Sequence, residues 1–209
     1  MSPQQVLVNR PAVVTKLSAI MTKTDYSISM LKAQTASLPF GLFAVAEFLI
    51  FVAVRGFGPV KEASDILLPW YFLSVFVVGI VLHELIHGIA WMIAGRLSFK
   101  QMKFGFQWKS FTPYAHCTVP IRKNAYVIGT IMPAIILGVL PFGISLLNGN
   151  GWILIFGILF TFAAIGDFMI IWLIRSVAGD ALVEDHPENA GCYVYEEEKV
   201  DSPSTTNIL

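Results

Sequence analysis

The chain has 209 residues, is 56% hydrophobic and only 13% charged, and carries no formal net charge. That balance excludes an ordinary soluble domain. A neutral chain also offers no electrostatic footing for a nucleic-acid partner.

The apolar residues are clustered, so the expected partner is a lipid bilayer. Four runs, about 38–55, 66–94, 125–147 and 152–174, are long enough for a membrane core that needs about 20 residues of helix. The expected fold class is an all-α membrane protein of about four transmembrane helices. Residues 1–37 read as a polar arm, 38–177 as one membrane domain, and 178–209 as an acidic, solvated tail containing Glu196-Glu197-Glu198. No internal repeat is evident.

The first run is short and carries Glu47, which would line a water path or hydrogen-bond between helices. The second is the informative one. Between Ile66 and Ala94 the only Asp, Glu, Lys, Arg or His residues are His83, Glu84 and His87. Burying three such groups in one membrane helix is costly without a shared function. Residues four apart share a helix face, so His83 and His87 can present imidazoles to one metal ion. Glu84 lies about 100° round the helix, beside the ligands, where a general base that reaches an attacking water belongs. With four His and eight Glu in the chain, the pattern arises by chance roughly 0.3% of the time.

The next segment, 96–124, alternates apolar and polar side chains over 97–104 and again over 106–109, with Gly105 between them. This predicts a short β-hairpin-like insertion between helices 2 and 3. Its edge would hold an extended peptide as an added strand; alternatively, its Lys and aromatic residues simply anchor it at the headgroups. The third run has no charged residue. The fourth has one, Asp167.

Basic residues set the orientation. Arg10, Lys16, Lys23 and Lys32 precede the first run, and Arg96, Lys100, Lys103, Lys109, Arg122 and Lys123 lie between the second and third. The positive-inside rule puts both termini and 96–124 in the cytoplasm. Cys117 and Cys192 would then be reduced, not a disulfide framework. The N-terminus does not have the layout of a cleaved signal peptide.

A catalytic zinc needs three protein ligands and one open position. Asp167 is the expected third ligand. Spans two and four run in the same direction, with His87 nine positions before Arg96 and Asp167 eight before Arg175. Both groups therefore sit roughly 12–14 Å above the helix ends. His116, beside Cys117, and His186, in the tail, are the competing third ligands.

These residues resemble the site-2 protease group of intramembrane zinc metalloproteases. More closely, the chain resembles a family of small bacterial four-span proteins described as putative zincin peptidases. That likeness runs from about 65 to 195. It rests on His83-Glu84-Leu85-Ile86-His87-Gly88, on Phe104-Gly105-Phe106 with Thr112-Pro113-Tyr114-Ala115-His116-Cys117, on Met132-Pro133-Ala134, on Gly166-Asp167, and on Asp185-His186-Pro187 with Gly191. The resemblance implies His83, His87 and Asp167 as zinc ligands, Glu84 as base, a bacterial cytoplasmic membrane, and a hairpin beside the site that holds substrate. Site-2 proteases place their aspartate before a glycine, whereas Asp167 follows one.

The expected function is an integral-membrane zinc metalloendopeptidase acting on membrane-associated protein or peptide substrates, transmembrane segments included. The alternatives are a non-catalytic membrane protein with a structural or regulatory metal site and, less favoured, a metal transporter. Glu84 separates them, because neither alternative needs a base beside two histidines.

Overall fold

A computed structural model of the chain describes residues 21–65, 69–108 and 112–197. Arg10, Lys16, Lys109 and the acidic end beyond 197 lie outside these.

The described chain opens with β1 (Met21–Ile28), α1 (Met30–Ala36), a 3-10 turn at Leu38–Gly41 and α2 (Leu42–Arg55). Next come α3 (Gly58–Asp65) and the long α4 (Pro69–Gly95). The hairpin β2 (Met102–Gln107) and β3 (Thr112–Cys117) is followed by the short β4 (Ile121–Arg122). One long helical rod follows: α5 (Lys123–Pro133), a π-helical stretch (Ala134–Val139) and α6 (Leu140–Asn148). It ends with α7 (Gly151–Ala163), α8 (Ile165–Leu173), β5 (Leu182–Asp185) and β6 (Ala190–Glu197).

Four helical stretches are long and apolar enough to cross a membrane: Met30–Arg55, Phe72–Gly95, Lys123–Asn148 and Gly151–Leu173. Their outer faces present Leu49, Val81, Ile93 and Leu147 at 60–82% exposure. Apolar surface on that scale needs lipid, not water. The chain is a mostly helical, multi-pass membrane protein with small antiparallel sheets.

Local chemistry sets the helix ends. Asn150 caps α7 by accepting hydrogen bonds from the backbone N–H groups of Trp152 and Ile153 at 2.9 and 3.1 Å. Helix α4 ends with Arg96 in the left-handed region at φ 53°. The Leu97 N–H then reaches back to the Met92 carbonyl at 2.9 Å, closing the turn in a position usually held by glycine.

Two features depart from the sequence-based expectation. The hairpin is present, but Gly105 is not its turn. Gly105 lies mid-strand, paired with Tyr114, whose hydroxyl occupies space 2.5 Å from where a Cβ would be. The alternating pattern marks the sheet, while the glycine marks close packing within it.

Residues 182–197 also depart from the expected solvated tail. Strands β1, β6, β5 and β4 form one antiparallel sheet in that order. Val183, Val194 and Tyr195 are fully buried, and Glu184 is buried while accepting a hydrogen bond from the Tyr195 hydroxyl at 2.8 Å. Within this segment Glu184 and Asp185 have hydrogen-bond partners, while Glu196 remains exposed on β6. This sheet joins the N-terminal arm, the 96–124 segment and the C-terminal segment on one end of the bundle. The main apolar core lies there too, built from Trp91, Met102, Ile121, Tyr126, Ile174 and Val183 among others. Helices α4 and α8 both run toward it.

Candidate metal centre

His83 and His87 are one turn apart on α4 and are 7% and 5% exposed. Their Nε2 atoms lie 3.2 Å from each other. Asp167 reaches them from the first turn of α8, just past a break in the fourth span at Ala164, where φ and ψ are −84° and 6°. Its Oδ2 is 3.2 Å from His83 Nε2, and its Oδ1 is 3.4 Å from His87 Nε2. The three residues matched by depth along two parallel spans thus lie together in the fold.

The donor set suits zinc. Ligands at about 2.0–2.1 Å in a tetrahedron stand about 3.3–3.4 Å apart, close to the spacing of these three atoms. His87 Nδ1 lies 3.0 Å from the Gly129 carbonyl, to which it donates, leaving the Nε2 lone pair free. Although close to His83, Asp167 Oδ2 makes no aligned hydrogen bond. Lone pairs crowded this way are resolved by a shared cation. Among the described residues, His83, His87 and Asp167 form the one group of three or more His, Cys, Asp or Glu residues able to hold a metal.

Glu84 is half-buried and lines the same cavity as these three. Its carboxylate accepts a hydrogen bond from the backbone of Ala115 on β3. That strand edge is heavily committed. The Thr118 N–H bonds to the Gln101 carbonyl at 2.8 Å, which sets the register and leaves 113, 115 and 117 pointing away from β2. Pro113 has no N–H, that of Ala115 goes to Glu84, and that of Cys117 goes to Asp185 Oδ2 at 2.7 Å.

A second set of contacts supports His87. The Trp91 ring stacks on His87 at 5.2 Å and on Tyr126 at 5.6 Å. Trp91 Nε1 donates to the Tyr126 carbonyl at 2.9 Å, and the Tyr126 hydroxyl donates to Asp185 Oδ1 at 2.7 Å. Burial pushes the Asp185 carboxyl above the usual carboxylate range, against the pull of His116 and of these hydrogen bonds. Gly129 makes the stack possible, because a Cβ there would stand 1.9 Å from the Trp91 ring. Sequence reasoning missed Trp91, Tyr126 and Gly129 and gave Asp185 no role. One signal was available for Trp91: it lies four residues beyond His87, on the face that carries both histidines.

The competing histidines do not join the cluster. His186 Nδ1 accepts the backbone N–H groups of Glu188 and Asn189 at 3.1 and 2.8 Å, closing the β5–β6 turn. His116 lines the cavity and packs on Tyr114 at 4.7 Å. Glu47 is buried in the first span and accepts a hydrogen bond from the Thr161 hydroxyl at 3.0 Å.

The family described as putative zincin peptidase matches residues 76–182, which hold the histidine pair, the hairpin and Asp167. The chain belongs to that family. Membership points to a metallopeptidase and implies zinc, while the four apolar helices mark a membrane protein. No curated protein and no solved structure matches it.

Proposed function

We propose that this family member is an integral-membrane zinc metalloendopeptidase that hydrolyses peptide bonds of membrane-associated substrates. His83, His87 and Asp167 hold the metal, and Glu84 is the general base. One observation carries the reading: two imidazole nitrogens and a carboxylate converge to 3.2–3.4 Å, with a second carboxylate beside them in one cavity.

Bound zinc would supply Lewis acidity, polarising the scissile carbonyl and easing deprotonation of water. The chain's own residues do the rest. Glu84 takes a proton from the attacking water and passes it to the leaving amine. The Ala115 N–H fixes the carboxylate that makes this transfer. Gly129 fixes the His87 tautomer, and the Trp91–Tyr126 stack fixes its ring plane. Burial at the end of the bundle limits the water that reaches the site.

The basic residues flanking the sheet-side ends of the spans support a cytoplasmic placement of that side in a bacterial cytoplasmic membrane, with both termini inside. The test is purified protein with its metal quantified, beside a Glu84→Gln variant. Zinc stoichiometry should be unchanged, and cleavage should fall by about 10²- to 10⁴-fold. Equal cleavage by both proteins would remove Glu84 as base.

A further inference from the structure

We propose that the site takes an extended polypeptide from the sheet side, through a cleft between α1, the Gln107–Trp108 end of β2 and the β5–β6 turn, and not a whole helix sideways from the bilayer. This rests on the peptidase reading above.

The cleft is continuous. A cavity of about 300 Å³ has the three ligand residues and Glu84 at one end. Its other end is lined by Met30, Gln34, Gln107, Glu188 and Asn189. Those five residues also line an adjoining groove of about 690 Å³, completed by Leu31 and Trp108. The passage thus runs from the metal centre to the surface where Gln34, Trp108 and Glu188 are exposed.

A lateral route beside Asp167 is filled. Phe168 packs on Phe40 and Phe43 at 6.4 and 5.2 Å, and Phe40 packs on Trp172 at 6.4 Å. Size points the same way. A helix with side chains is about 10–12 Å across, too wide for the inner cavity, whereas a single extended chain is not.

The lining chemistry defines the occupant. An extended chain brings unpaired N–H and C=O groups that need partners. The outward N–H groups of β3 are already committed to Glu84 and Asp185, so ordinary strand addition there lacks donors. The side-chain amides of Gln34 and Gln107 both donate and accept, and they face this passage. Among the described residues neither lining contains Lys or Arg, and Glu188 stands at the mouth. The substrate class is therefore an extended, locally unfolded polypeptide segment whose backbone groups meet these amides.

The test uses full-length protein with Gln34→Cys or Glu188→Cys, a bulky maleimide-polyethylene glycol label, and fluorescein-labelled β-casein as an unfolded probe without a membrane span. Native Cys117 and Cys192 are 2% and 0% exposed, and burial pushes the Cys192 thiol up to about 12, so the label goes to the introduced cysteine. Labelling at the cleft should cut casein cleavage at least about tenfold relative to the same unlabelled variant, with zinc content unchanged. Labelling Lys100→Cys, exposed on the same side but outside the cleft, should leave the rate intact. Cleavage unaffected by the cleft label would overturn the proposal. So would cleavage of a helical single-span substrate but never of casein. A binding readout separates this from the peptidase reading: p-benzoylphenylalanine in place of Trp108, in the Glu84→Gln protein, should crosslink to casein, and in place of Leu147 should not. No crosslink at Trp108 overturns the cleft. A crosslink without wild-type cleavage overturns the peptidase reading alone.

Discussion

Three carboxylates lie within the described membrane spans; Glu84 sits beside its histidine pair, and the two that stand alone in their spans, Glu47 and Asp167, have different surroundings. Glu47, in the first span, receives one hydrogen bond from Thr161, and its Oε2 finds no partner among the described residues. Asp167, in the fourth, meets two imidazoles and lies at the floor of a cavity. Both are single acids in apolar runs, so isolation within a span does not separate them. Convergence of complementary donors does. The surroundings reinforce the contrast. The Asp167 side is braced by the chain Asp185–Tyr126–Trp91–His87 and by the sheet, whereas Glu47 sits among packed apolar helices.

The largest expected effect tests that contrast directly. Asp167→Ala should weaken zinc binding by at least about 100-fold, measured by metal content after dialysis against a chelator, while Glu47→Ala should leave it unchanged. Equal loss in both variants would erase the distinction. Next is the bracing. Gly129→Ala forces the Trp91 ring out of its stack and should lower stability by about 1–3 kcal/mol, read by thermal unfolding in detergent. Unaltered stability would show that the stack bears no strain. Glu47→Gln keeps an acceptor for Thr161, so stability should stay within about 1 kcal/mol of wild type, and a larger fall would make the Glu47 charge itself important. The smallest effect belongs to the end of α4. Arg96→Gly relieves a left-handed residue and should raise stability by about 1 kcal/mol; a decrease would mean the arginine side chain outweighs the backbone strain.

Much of this was legible in the sequence because the controlling rules are local or one-dimensional. Span number follows from hydropathy and bilayer thickness. The pairing of His83 with His87 follows from helical period. Even Asp167 could be placed, because two membrane helices sharing a boundary share a depth scale, which soluble folds do not offer. The 182–197 strands were hidden for the opposite reason. Glu184 and Asp185 fall in a segment that reads as an acidic tail until the sheet supplies Tyr195 and Tyr126 as their partners. The role of Gly105 was hidden in the same way, since only the β3 partner reveals what it makes room for.

By itself, then, the sequence determined a four-span membrane protein with a paired-histidine helix and an acid at matching depth, because those features depend on period and length alone. Only the tertiary structure decided which groups brace that site and what closes around it. Trp91, Tyr126, Asp185 and the Ala115 N–H lie on α4, α5, β5 and β3, and no spacing along the chain encodes contacts between elements that meet only on folding.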